Sequence, residues 1–201
     1  MMDSDPLDAV RQRLEKCIPR PRYEHCVRVE QESRRLAQKF HANEDVCAMA
    51  GLLHDCARDL TEAELENMAP AAGVDPDVFV HPILLHGPVG ALIARRDFGI
   101  CDERVLSAIT QHTAGGPDMD LEDKIVCLAD YTEPGRSFPG VERLRELADE
   151  SVDIALAEAL EGTVRHLVDQ GLDPDPVALA CARALLDNIK ESHKVGESTD
   201  S

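Results

Sequence analysis

The chain has 201 residues, 43% of them apolar and 3% aromatic, with no tryptophan. A core of that make-up must rest on Ala, Leu, Val and Ile, which suits helices that pack closely. Acidic residues outnumber basic ones 39 to 21, for a formal charge of −18; such a surface repels nucleic-acid polymers but does not exclude a small anion held through metal ions.

Taken in chain order, residues 7–17 read as a short helix, ended by Pro19 and Pro21. From Arg22 to Phe40 the pattern is helical, with Val29, Leu36 and Phe40 at steps of seven and four, and His25 one turn before Val29. Asn43 is the expected N-cap of a helix over 44–58, because its side chain can accept a free backbone N–H. The stretch VCAMAGLLHDCA within it is apolar almost all round, so this helix is expected to be central and buried. Thr61 begins another helix, with Glu64 three residues later as in a capping box. Gly73, Pro76 and Pro82 break the segment between that helix and the next. Gly87-Pro88 opens a helix to Asp97, Asp102 caps one over 103–112, and Ala114 to Pro117 form a loop. Leu121 to Tyr131 is helical until Pro134-Gly135, and 139–149, 151–170 and 175–190 complete the series. No segment alternates at a period of two for long. The fold class is therefore all-α. A short N-terminal helical segment (1–20) is expected, then a single domain over 21–190 and a disordered polar tail over 191–201.

The N-terminal MMDSDPLDAV is acidic without an apolar stretch, so no signal peptide is expected. No run approaches the ~20 apolar residues that span a bilayer. The seven cysteines include no C-x-x-C pair. The expectation is a cytoplasmic protein with reduced, mostly buried thiols.

Chemistry gathers at a few His and Asp residues. His54-Asp55 follows Gly51-Leu52-Leu53 inside the apolar stretch. A buried Asp is costly unless its charge is compensated. A divalent metal does this, and so does an ion pair with an arginine such as Arg58. Asp130 follows the apolar run IVCLA and carries the same two readings. His25 shares a face with Val29 and points inward, where a satisfied core histidine is the other reading. His86 stands at a helix start and His112 at a helix end. Together these imidazoles and carboxylates suit iron, manganese, zinc and related ions. Four His and two Asp could serve two metals with one carboxylate shared, a recurring device for phosphoester hydrolysis.

The order of these residues, a His in an early helix, then His-Asp, two separated His and a late Asp, resembles the HD-domain phosphohydrolases. The strings GLLHDCARDL, HGPVGA, AITQHTAG and KIVCLADYTEPGRSFPGVERLRELA are similar to the bacterial YqeK-type family of symmetrical diadenosine tetraphosphate hydrolases. The likeness runs from Arg22 to Ala148. It implies an HD-domain helical bundle and a site of two divalent metal ions, iron in that family, with Mn, Zn, Co or Mg as alternatives. His25, His54, Asp55 and Asp130 would hold one metal; Asp55, His86 and His112 would hold the other, with Asp55 bridging. The implied reaction splits the symmetric tetraphosphate at its central bridge into two ADP, with water as the nucleophile.

Around the ligands, Arg58 can hold a phosphate oxygen bidentately, and a surface Arg–Asp pair is its other reading. Asp59 beside it is assigned with Asp55 and Arg58 to the catalytic group. Arg136 is read as a phosphate ligand, Glu133 as a nucleotide-contacting or supporting group, and Thr113 as a hydrogen-bond donor to phosphate. His81 is an extra histidine near the site, read as a loop residue, and His41, His166 and His193 have no role assigned. The expected partner is a small nucleotide, with neither a nucleic-acid polymer nor a membrane. A homodimer is expected only because small enzymes are often symmetric pairs. Two further functions share the motif: an HD phosphatase of mononucleotides or other phosphoesters, and a nucleotide-sensing HD module without catalysis. The ADYTEPGR string favours the tetraphosphate hydrolase, and the filled ligand positions disfavour the sensor.

Overall fold

The computed structural model describes residues 6–116 and 118–198, with side chains described as far as residue 189. Helix α3 (Glu44–Leu53) is the element around which the others pack. Its N-terminus is set by Asn43, whose side chain accepts the Val46 N–H at 3.0 Å. From Val46 to Leu53 every residue but Met49 is buried, which places α3 in the middle of the molecule as its apolar surface requires. It packs on α2 (Arg20–Phe40), α6 (Glu103–Gln111) and α7 (Leu121–Thr132). The short α1 (Pro6–Leu14) lies against it, and α5 (His86–Phe98) pairs with α6. Beyond α7, the helices α8 (Val141–Glu150), α9 (Val152–Asp169) and α10 (Pro176–Ser198) come in succession, each packed on the next, with α9 also against α7. Among the described residues there is no strand, so the all-α expectation holds.

Two glycines fix how closely the site-bearing elements approach. A Cβ on Gly51 would stand 2.7 Å from Ser33 Oγ and 3.1 Å from Glu30 Cα, so α3 meets α2 almost backbone to backbone. A Cβ on Gly87 would stand 2.5 Å from the Thr110 carbonyl oxygen, which does the same for α5 and α6.

Between α3 and α5 the chain forms α4 (Glu62–Met68) and three short 3-10 turns at Ala69–Ala72, Pro76–Val78 and Pro82–Leu85. The Thr61–Glu64 capping box expected from the sequence is present, with Thr61 N–H donating to Glu64 at 2.8 Å. This excursion has its own small core of Ala57, Leu65, Ala69, Leu85 and Val89.

Three boundaries differ from expectation. The central helix ends at Leu53 rather than 58, and the chain continues in tighter turns, with Cys56 N–H donating to Leu53 O and Arg58 N–H to Asp55 O, both at 3.0 Å. The reason is local: the His54 ring nitrogen Nδ1 takes the Gly51 carbonyl at 2.7 Å, an oxygen that the next helical turn would need. Helix α2 begins at Arg20, because Pro21 in a first turn has no N–H to lose. The tail expected to be disordered from 191 instead continues α10 to Ser198; its Lys, Glu and Ser residues do not oppose an already nucleated helix. Residues 199–201 of that tail lie outside the described residues.

The described cysteines are all free: Cys26, Cys47, Cys127 and Cys181 are buried, Cys56 half-buried, and Cys17 and Cys101 exposed. No helix among the described residues is long and apolar enough to cross a membrane.

Candidate metal centre

Helix ends leave carbonyl groups without intrahelical partners, and the site is built on this. His54 follows the last residue of α3, His112 follows α6, and His86 follows the 3-10 turn Pro82–Leu85. Each turns its Nδ1 to the carbonyl three residues back: Gly51 at 2.7 Å, Ile109 at 2.7 Å and Ile83 at 2.5 Å. A carbonyl only accepts, so Nδ1 carries the proton in all three rings and Nε2 is left with its lone pair. The fourth ring, His25 of α2, directs Nδ1 to Glu133 Oε1 at 3.1 Å. The rings meet edge to face in the order His25, His54, His112, His86, with centroids 4.9–5.2 Å apart.

All four Nε2 atoms converge on Asp55 and Asp130. Asp55 Oδ2 lies 3.7 Å from His25 Nε2 and 3.5 Å from His54 Nε2, while its Oδ1 lies 3.2 Å from His86 Nε2 and 3.7 Å from His112 Nε2. One carboxylate thus turns a different oxygen to each histidine pair. Asp130 Oδ1, from α7, stands 3.0 Å from His25 Nε2 and 3.8 Å from His54 Nε2.

This arrangement is electrostatically incomplete without cations. The buried Nε2 atoms of His25 and His54 make no hydrogen bond, although carboxylate oxygens are close. His86 Nε2 and His112 Nε2 face each other at 3.1 Å, two lone pairs turned to one point. Burial, together with the neighbouring imidazoles, pulls His54 down to about 4, and burial lowers His86 also, so protons are poor substitutes there. Burial works against His25 too, but the charge of Asp130, whose Oδ1 stands 3.0 Å from Nε2, and the hydrogen bond to Glu133 more than offset it and hold it above its ordinary value. Burial would raise Asp55 and Asp130, yet the surrounding histidines, with Arg136 beside Asp130, keep both carboxyls ionised well below the usual range. Ionised oxygens and neutral imidazole nitrogens are the donor set that divalent first-row ions take. Two groups, His25 with His54 and Asp130, and His54 with Asp55 and His112, each bring their ligand atoms within 4.8 Å of one another. The residues fit a metal site.

The six residues expected as ligands are therefore brought together from five elements, and all but Asp130 are buried. Arg58, Thr113 and Arg136 line a cavity of about 300 Å³ over the centre. Arg136 pairs with Asp130, through its side chain and, at 2.6 Å, through the backbone carbonyl. Arg58 makes no ion pair among the described residues, so neither the pairing with Asp55 nor a surface Arg–Asp pair is what it does.

Two of the assigned residues, Asp59 and Glu133, do not line that cavity. Asp59 is exposed and 3.4 Å from Arg22 Nε, outside the cavity lining, in the tight turns that follow Asp55. Glu133 is buried beneath His25 rather than open to a nucleotide: it accepts from Arg28 Nε at 2.6 Å, from the Gly135 N–H at 2.5 Å and from His25. It holds the His25 ring in place, the supporting one of the two roles expected for it and the kind usual around metal-bound histidines.

The residue that sequence reasoning missed is Arg22, which donates to Asp55 Oδ2 at 2.5 Å and lines the cavity. Its spacing of three from His25 on one helical face was the available signal. Arg28, three residues after His25, carried the same signal, but its partner Glu133 lies 105 positions away.

A family model for the HD domain matches residues 22–135. The symmetrical bis(5'-nucleosyl)-tetraphosphatase of Bacillus subtilis is 36% identical over 157 residues, 77% of this chain and 84% of that protein. The protein of the same name from Halalkalibacterium halodurans is 37% identical over 78% of this chain and 86% of that one. Among solved structures, a predicted HD superfamily hydrolase involved in NAD metabolism from Clostridium acetobutylicum superposes with a TM-score of 0.86 at 34% identity, covering 90% of this chain and 97% of that chain. The matched segment begins at Arg22 and includes the whole constellation of His25, His54-Asp55, His86, His112 and Asp130, so this chain belongs to the HD-domain family, together with the symmetrical bis(5'-nucleosyl)-tetraphosphatases.

Proposed function

We propose that this protein hydrolyses diadenosine tetraphosphate, and related dinucleoside polyphosphates, at the central bridge to release two ADP. The observation that carries the reading is the carboxylate of Asp55, whose two oxygens face two different histidine pairs. That is the geometry a shared ligand of two cations needs. On this reading His25, His54, Asp55 and Asp130 hold one divalent ion, and Asp55, His86 and His112 hold the other, with iron as the metal. Bound there, the ions supply acidified water and offset phosphate charge.

The chain's own residues do the rest. Despite the charge of −18, the cavity over the centre is lined by Arg22, Arg58 and Arg136, which gives a polyanion a local reason to enter. Arg58, without an ion-pair partner, is the arginine free to fork onto phosphate oxygens. Arg22 holds Asp55 Oδ2 and Arg136 holds Asp130 Oδ1, the oxygens that face His25 and His54, which fixes how both carboxylates are presented. Thr113, whose hydroxyl lies 3.3 Å from the Leu84 carbonyl, adds a polar group at the rim. In the overall reaction one water is consumed, one P–O bond of the central bridge breaks, and each half leaves as ADP. The curated relatives carrying the symmetrical tetraphosphatase name support this substrate over a mononucleotide.

The test is product analysis on diadenosine tetraphosphate, with metal content measured on the same sample. ADP alone is expected. ATP with AMP, or turnover of mononucleotides in preference to the dinucleotide, refutes the assignment.

A further inference from the structure

The cavity over the metal centre does not end there. Tyr131, the residue after Asp130, borders it and also borders two further cavities with mainly apolar walls. The first, of about 350 Å³, shares Leu84 and Thr113 with the metal cavity and is closed by Leu160, Val164 and Leu167 of α9 and by Leu172. The second, of about 460 Å³, begins two residues beyond Arg136, at Phe138 and Pro139, and is backed by Leu144 of α8 and Ala159 of α9. The Tyr131 hydroxyl and Thr163 Oγ1 meet at 3.1 Å, and both residues line both cavities. They form a partition with one cavity on either side.

Phe138 is 40% exposed at the mouth of the second cavity and is the one aromatic among the exposed large hydrophobic residues described. An aromatic face left open beside an arginine-lined polyanion cavity is suited to a nucleobase, because base–aromatic stacking needs only a flat π-face. Both volumes fall within the range of small-molecule pockets. A substrate cut at its middle must place that middle at the centre, so its two ends reach equally far to either side. Two cavities that each share Tyr131, the neighbour of Asp130, with the metal cavity offer a place for each end.

We propose that these cavities are the two nucleoside subsites, with Phe138 the stacking surface of one and the wall of Leu84 and Leu172 enclosing the other. The inference rests on the tetraphosphate hydrolase reading and deepens it. It also assigns substrate choice to α8, α9 and the α9–α10 connection, which lie beyond the segment 22–135 that the family model matches.

The experiment compares the wild type with Phe138→Ala and Leu172→Asp, each replacing a side chain that is 40% or 46% exposed; Leu172→Ala is the milder form should the charged variant unfold. Steady-state kinetics on diadenosine tetraphosphate are read with ADP formation, metal content and unfolding temperature. Each variant is expected to raise KM about tenfold, the scale of one lost base contact, with kcat within about twofold, ADP still the product and metal content unchanged. A KM within about twofold of wild type in either Phe138→Ala or a folded Leu172 variant, with the wild type still releasing ADP, overturns this inference alone. A wild type that releases no ADP removes the hydrolase reading and this inference with it.

Discussion

Replacing Glu133 by Gln tests whether the two histidine pairs serve separate ions. Glu133 accepts four hydrogen bonds: from Arg28 Nε at 2.6 Å, Arg28 Nη2 at 3.4 Å, the Gly135 N–H at 2.5 Å and His25 Nδ1 at 3.1 Å. A glutamine keeps the shape but has a single acceptor oxygen. Its NH₂ group must then face one of these donors. If the oxygen stays on Arg28 and Gly135, His25 Nδ1 meets a donor, and the ring loses the contact that fixes its tautomer and direction. Loss of such a supporting partner typically costs about 10- to 100-fold in metal affinity, or roughly 1.4–2.7 kcal/mol. His86 and His112 are oriented by backbone carbonyls of Ile83 and Ile109 and do not depend on Glu133. Calorimetric titration of chelator-stripped protein with Mn²⁺ should therefore show one site weakened about 10- to 100-fold and the other changed less than about threefold. Equal weakening of both sites, or none, refutes the division of ligands into two sets.

Asp55→Ala removes both oxygens between the histidine pairs, so the variant should bind less than one metal per chain and lose turnover; near-normal metal content sinks its role as the shared ligand. Gly51→Ala sets a methyl 2.7 Å from Ser33 Oγ and 3.1 Å from the α2 backbone, an overpacking expected to cost about 1–3 kcal/mol in urea unfolding. Adding Ser33→Ala should recover part of it, and no recovery would mean that the backbone contact dominates. In chelated protein, stability should fall as the pH falls. His54, held at about 4 when folded against 6.5 unfolded, takes its proton more readily in the unfolded chain, so its contribution is whole above pH 6.5 and is lost towards pH 4, about 3 kcal/mol in full. His86 acts in the same sense. His25, held above its ordinary value, opposes them: its contribution is present at low pH and fades as pH rises through its folded value. Asp55 and Asp130, held low when folded, carry the loss to lower pH. A urea midpoint unchanged between pH 7 and pH 5 contradicts the buried, neutral state of His54.

The cluster of His and Asp residues was legible in the chain because its members carry local marks. His54 and Asp55 interrupt the most apolar stretch of the sequence, Asp130 ends another, and His112 stands at a helix end. Polar groups in such places need compensation wherever the chain goes. Of the two readings left open for Asp55, a metal or an arginine, the distances show an arginine, Arg22 rather than Arg58, on one oxygen, and four imidazoles around the same carboxylate. Local patterns could not supply that answer, because Arg22 lies 33 residues away along the chain.

Helical periodicity and caps determined by themselves that this protein is all-α and where three of its helices start, since Asn43, Thr61 and Asp102 act within their own turns. They did not determine where α3 stops, because a histidine ring that takes a backbone carbonyl competes with the helix only where a centre draws it inward. Nor did they distinguish Glu133, which supports His25, from Arg58, which faces the cavity unpaired. Both are charged residues near a ligand in the sequence. Only the tertiary packing buries Glu133 against His25 and Arg28 of α2 while the turn after Asp55 sets Arg58 in the cavity wall.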